Sequence, residues 1–127
     1  MFTGIIEEIA EVIAIERDKS NVNFTFSANM ANALKVDQSL AHNGCCLTVV
    51  EQNDRHYKVT AIQETLDRTN LTDWSVGTRV NLERCMKADG RFDGHIVQGH
   101  VDCVATCKQI LDLDGSWKYT FSYNADH

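Results

Sequence analysis

The chain has 127 residues, a net charge of −6, five cysteines and no proline. That length suffices for one small domain with a modest core. The scattered basic residues argue against a nucleic-acid partner, and no apolar run reaches the length that crosses a bilayer. The first residues, "MFTGIIEEIAEV", carry Glu7, Glu8 and Glu11 without a basic stretch, so no signal peptide is expected. An odd cysteine count with no even framework points to reduced thiols and a cytoplasmic setting.

In chain order the pattern is mostly strand. "GIIEEIAEVIAIE" (Gly4–Glu16) mixes alternation with β-branched residues, and "NVNFTFSA" (Asn21–Ala28) places Val22, Phe24 and Phe26 on one side. A short helix is predicted over Ala28–Leu34 with Ser27 as its cap. In "SLAHNGCCLTVV" (Ser39–Val50), Asn43-Gly44 between strand-like runs signals a two-residue type I′ hairpin. Counting outward pairs His42 with Cys45, Ala41 with Cys46, Leu40 with Leu47 and Ser39 with Thr48. Side chains alternate along a strand, so Leu40, His42, Cys45, Leu47 and Val49 form a core-like face. Ser39, Ala41, Cys46 and Thr48 form the other, which reads either as solvated sheet surface or as a site built round one thiol. "HYKVTAI" (His56–Ile62) and "TRVNLERC" (Thr78–Cys85) alternate as strands. Between them, "TAIQETLDRTNL" (Thr60–Leu71) opens a helix around Glu64–Asn70, whose polar groups serve either routine capping or a polyol or anion. Many short strands with brief connections imply a small antiparallel barrel or sandwich.

In "DGHIVQGHVD", Gly94 and Gly99 each precede a histidine and permit close approach of another backbone or a ligand. His100 reads either as structural or as a proton shuttle. His95, His100, Cys103 and Cys107 are all metal-ligand types, but their spacing fits no standard zinc pattern. Strand parity would place His100 opposite the other three, so no metal is expected.

The chain also resembles itself. With an offset of 95, residues 1–32 overlie 96–127 with seven identities, among them Gly4/Gly99 and "TFSAN" against "TFSYN". A fixed offset of domain length implies a duplicated unit. The expected organisation is a first barrel over residues 1–94 and a truncated start of a second over 95–127.

"MFTGIIE", "AHNGCCLTVV", "ETLDRTNL", "VGTRVNLER" and "GHIVQGHVD", in this order and spanning essentially the whole chain, closely resemble the segments of riboflavin synthase, the alpha-chain type. Asp93 departs from the pattern, standing where that family often has a second glycine. The resemblance implies an all-β fold, a six-stranded antiparallel Greek-key barrel with short helices, duplicated, with its second copy incomplete here. Family members have two such barrels and a C-terminal helix and form trimers; a shorter chain could pair as a dimer. They convert two molecules of 6,7-dimethyl-8-ribityllumazine into riboflavin and 5-amino-6-ribitylamino-pyrimidinedione by four-carbon transfer, without metal or redox cofactor, at a seam between barrels of neighbouring subunits.

Carried over by motif, Gly4, Ile5 and Ile6 supply backbone on one side of the ligand, and Cys46, Leu47 and Thr48, with Ala41 on the small face, supply another wall. Thr60, Ala61, Ile62, Gln63, Glu64 and Thr65 meet the ribityl chain, with Glu64 accepting from its hydroxyls. Gly99, His100 and Val101 complete the pocket. The same resemblance makes His100 the proton-transfer group, Ser39 and Cys46 the groups that polarise or attack the lumazine, and Phe2 a residue shaping the seam. The small outer face would then be the floor of a flat heterocycle site. Two other readings are a lumazine- or flavin-binding antenna-type protein without synthesis, and a β-barrel interaction domain with an unoccupied polar face.

Overall fold

The computed structural model describes residues 1–124; the last three residues of the expected second unit lie outside the described residues. Among the described residues, eight strands and one short α-helix run in the order β1 (Glu8–Asp18), β2 (Asn21–Ser27), β3 (Ser39–His42), β4 (Cys45–Gln52), β5 (His56–Ala61), α1 (Gln63–Arg68), β6 (Arg79–Arg84), β7 (Thr106–Asp112) and β8 (Trp117–Ser122). The first six strands close an antiparallel barrel in the order β1-β2-β5-β4-β3-β6. Strands β3, β4 and β5 follow one another, while β2 sits beside β5, which is the Greek-key arrangement. Closure removes the sheet edges. Long β1 makes it possible, because residues 8–11 pair with β6 while residues 11–18 pair with β2, across a bulge between Val12 and Ala14.

The hairpin forms as its sequence dictates. Asn43 and Gly44 take positive φ of 48° and 84°, and the β3–β4 register is Ser39↔Thr48, Leu40↔Leu47, Ala41↔Cys46, His42↔Cys45. Leu40, Cys45, Leu47 and Val49 enter the core with Val22, Phe24 and Phe26. Ala31, Leu34, Leu66 and Leu71, from the connecting turns and α1, join the same cluster.

Two element boundaries differ from expectation. β1 starts at Glu8 rather than Gly4, because Gly4 has φ +84°, which no strand continues, and residues 3 and 4 turn instead to the Glu83 carboxylate. The segment after Ala28 is a 3-10 helix (Asn29–Ala33), and Ser27 does not cap it. The cap position falls on Ala28, one residue beyond Ser27, which ends β2; the carboxylate of Glu8, one strand away, accepts from the amides of Asn29 and Met30.

Strands β7 and β8 form a separate two-stranded sheet, every residue of which is exposed. Its pairs, from Thr106↔Ser122 to Asp112↔Trp117, lie 95 residues beyond the β1–β2 pairs from Glu11↔Ser27 to Arg17↔Val22. Its bulge, between Cys107 and Gln109, is displaced from that of β1 by the same 95 residues.

The core holds one polar pair. His42 is fully buried, with Nδ1 3.0 Å from the Leu40 carbonyl and Nε2 2.9 Å from the Tyr57 hydroxyl. A carbonyl only accepts, so Nδ1 carries the proton and Nε2 accepts from Tyr57. Burial holds the imidazole neutral, its pKa lowered to about 3, whereas the unfolded chain binds a proton there near pH 6.5. The stability this contributes is present above pH 6.5 and is lost as pH falls from there toward 3. Between pH 7.5 and 5.5, denaturant unfolding is expected to show a loss of about 1.4 kcal/mol from this group. The double variant His42→Leu/Tyr57→Phe, which removes the pair, should lack that component of the pH dependence. Tyr57→Phe alone, leaving Nε2 unpaired, should cost about 1–3 kcal/mol.

Candidate ligand-binding site

A six-stranded barrel fills its interior with side chains, so a ligand must lie outside it. On the outer face, a groove of about 440 Å³ has three walls. The first is the hairpin, through Cys46 and its neighbour Cys45. The second is one face of α1, where Glu64 and Thr65 sit one turn before Arg68 and Thr69. The third is the extended segment Gly99–Asp102, returning from beyond the barrel.

Each wall has a local cause. The Asn-Gly register turns Cys45 inward and Cys46 outward, leaving Cys46 half-buried at the groove. In α1, Glu64 and Arg68 form an exposed pair at 3.3 Å, and Thr69 ends the helix by donating its hydroxyl to the Thr65 carbonyl at 2.6 Å. The returning segment is held by backbone bonds. Phe2 and Val97 exchange two, of 2.8 and 3.0 Å, and the Cys46 amide donates to the Gly99 carbonyl at 2.8 Å. Gly99 has φ +83°, and a Cβ there would meet both the Cys46 Cβ and the Phe2 ring at 2.8 Å. Only glycine lets this segment lie so close. Gly94 has the same role upstream, where a Cβ would fall 2.2 Å from the Thr3 carbonyl oxygen.

The structure therefore brings together Cys46, Glu64, Thr65, Gly99, His100 and Val101. Ser39 and Thr48 occupy the next row of the same outer face. Leu47 and Ala61 point into the core, and Ala41 is buried outside it, so these three could offer a ligand only backbone. Thr60 gives its hydroxyl to Asn23 at 2.7 Å. Ile62 and Gln63 are exposed ahead of Glu64, and Gln63 bonds Asp67. Gly4, Ile5 and Ile6 are not at this groove: Gly4 packs on His95 and Val97, and Ile5 and Ile6 are about half exposed. Phe2 is fully buried against Gly99, behind the third wall.

Sequence reasoning does not single out Arg68, Thr69 and Asp102. The helical spacing from Glu64 and Thr65 could have found the first two. The parity argument for His95, His100, Cys103 and Cys107 does not apply, because residues 98–105 form no strand. Among the described residues, no three of histidine, cysteine, aspartate and glutamate come together as a metal site. No helix there is long and apolar enough to cross a membrane.

The neighbouring thiols should behave differently. Burial, and then the proximity of Cys46, push the Cys45 thiol up to about 11. Cys45→Ser, burying a hydroxyl, should cost about 1–3 kcal/mol in denaturant unfolding. Cys46→Ser should stay within about 0.5 kcal/mol of the parent and change ligand affinity instead.

Comparison with known proteins bears on this groove. The lumazine binding domain family matches residues 3–85. Riboflavin synthase of Bacillus amyloliquefaciens is 41% identical over 111 residues, covering 87% of this chain and 52% of that protein. Riboflavin synthase of Escherichia coli (strain K12) is 37% identical over 124 residues, covering 95% and 58%. The chain thus spans about half the length of the curated relatives it matches. Among solved structures, LumP complexed with 6,7-dimethyl-8-(1'-D-ribityl) lumazine superposes with a TM-score of 0.86 at 21% identity, covering 99% of this chain and 71% of that one. LumP complexed with riboflavin gives 0.83 at 23% identity, covering 99% and 69%. Those two are likenesses of fold. The family match takes in all six strands of the closed barrel and the hairpin that carries Cys46, and the chain belongs to the lumazine binding domain family.

Proposed function

We propose that the groove binds 6,7-dimethyl-8-ribityllumazine and riboflavin, and that the chain is the first barrel of a riboflavin synthase with a portion of a second unit. The observation that carries this is the convergence of three distant segments, Cys46, Glu64-Thr65 and Gly99–Val101, on one outer groove. A flat heterocycle lies against the small side of the hairpin, its polar edge meeting backbone groups and the Thr65 hydroxyl. The polyol tail runs along α1, where the Glu64 carboxylate accepts from its hydroxyls.

In this reading the reaction transfers four carbons from one lumazine to another. The 7-methyl group must lose a proton, and the exposed imidazole of His100 at the groove is the base assigned to take it. Cys46 at the wall, and Ser39 in the next row, are the groups placed to polarise or attack the acceptor ring. The reaction also needs a second lumazine apposed to the first, so that binding replaces a bimolecular encounter. The shared register of β1–β2 and β7–β8 supports a duplicated unit in which Gly4–Ile6 stand where Gly99–Val101 stand. Gly4 and Gly99 have matching φ of 84° and 83°. Gly4–Ile6 would then wall the groove of a second barrel, and a trimer of complete chains would oppose unlike grooves.

The LumP likeness favours a second reading, binding without synthesis; the higher identity to riboflavin synthases favours the first. Residues 1–127 are expected to quench riboflavin fluorescence on titration, yet to yield no riboflavin when incubated with the lumazine. No quenching would overturn the ligand assignment. Turnover equal to that of a two-barrel relative would overturn the need for a second groove. A complete protein that binds the lumazine without forming riboflavin would establish the second reading.

A further inference from the structure

Glu83 breaks the alternation of its strand. On β6, Val80 and Leu82 face the core, so Glu83 faces outward, yet it is only 5% exposed. Its carboxylate meets the first residues of the chain. Oε1 accepts from the Thr3 amide at 2.6 Å and the Thr3 hydroxyl at 2.7 Å, and Oε2 accepts from the Gly4 amide at 3.0 Å. Several short bonds converging on one carboxylate hold its partners firmly.

The register explains why this bears on the groove. Glu83 pairs with Ala41 across β6 and β3, and Ala41 pairs with Cys46 across β3 and β4. The three form one row on the barrel's outer face. Glu83 at one end grips residues 3 and 4, and Cys46 at the other grips Gly99. Between these grips the two covering segments are joined by the Phe2–Val97 bonds and by the His95 amide donating to the Thr3 carbonyl at 3.0 Å. Ala41, in the middle of the row, is 2% exposed although it lies outside the core cluster. Phe2 is likewise buried outside that cluster, with its ring against Gly99.

We propose that Glu83 is a positioning residue for the ligand groove: its carboxylate fixes residues 3 and 4, which hold Phe2 and, through it, the Gly99–Val101 wall against Cys46. Glu83 touches no ligand in this scheme. The inference rests on the groove being the binding site, but its anchoring half does not depend on any ligand.

The test compares Glu83→Ala and Glu83→Gln with the parent chain by amide hydrogen exchange, denaturant unfolding and riboflavin titration. Gln keeps one acceptor oxygen for Thr3 but sets an amino group against the Gly4 amide. In Glu83→Ala, the amides of His95, Val97 and Cys46 should exchange at least about tenfold faster, while the core-strand amides of Phe24 and Val59 keep their parent rates. Riboflavin affinity should fall by about tenfold, with Glu83→Gln between parent and Ala in both readouts. If Glu83→Ala fails to fold, Glu83→Gln carries the comparison. Unchanged exchange at His95, Val97 and Cys46 would overturn the proposal, as would equal acceleration at Phe24 and Val59. Faster exchange with unchanged riboflavin affinity would also overturn it. If the parent itself fails to bind riboflavin, the binding assignment falls, and the exchange pattern alone decides whether Glu83 anchors the wall.

Discussion

The two backbone hydrogen bonds between Phe2 and Val97 join segments 95 residues apart, neither of which belongs to a strand of the barrel. A closed six-stranded barrel has no free edge and no hollow interior, so whatever it binds must lie on its outside. A bare outer face is a poor site, because a ligand there would be covered on one side only. The chain supplies a second side by returning over its own surface. The return is possible because Gly94 and Gly99 remove the side chains that would hold it away from Thr3, Phe2 and Cys46. Glycine spacing here sets the width of a groove.

The barrel was legible where local chemistry and burial agree. Asn43-Gly44 demands positive φ at both positions, and this one requirement sets the β3–β4 register and hence the opposite facings of Cys45 and Cys46. Val22, Phe24 and Phe26 alternate because one side of β2 is core, and the structure keeps all three there. The self-resemblance of residues 1–32 and 96–127 is matched by the paired registers of two separate hairpins.

What was not legible involves long-range partners. Ser27 has the right chemistry for a helix cap, but the strand runs through it, the cap position falls on Ala28, and Glu8 serves the helix amides from the neighbouring strand. Nothing in the sequence around Glu83 indicates that Thr3 and Gly4, some 80 residues earlier, cover it. The parity argument across His95–Cys107 assumed a strand that begins only at Thr106. Gly4–Ile6 resemble a ligand-contacting motif, yet lie away from the groove that Gly99–Val101 complete. Two segments that look alike in sequence thus face different surroundings.

The crossed return of the chain also orders events in time. Within the barrel, the β3–β4 hairpin closes over two residues, whereas β1–β6 pairing must bring residues 8–11 to residues 79–82. Joining Phe2 to Val97 spans still more chain, so its closure costs more loop entropy. Loop-closure entropy therefore favours closing the hairpin first and the covering unit, residues 1–4 with 94–102, after it. A molecule seated between that unit and the barrel would act as a clasp, its binding free energy added directly to the closure of the segment that surrounds it.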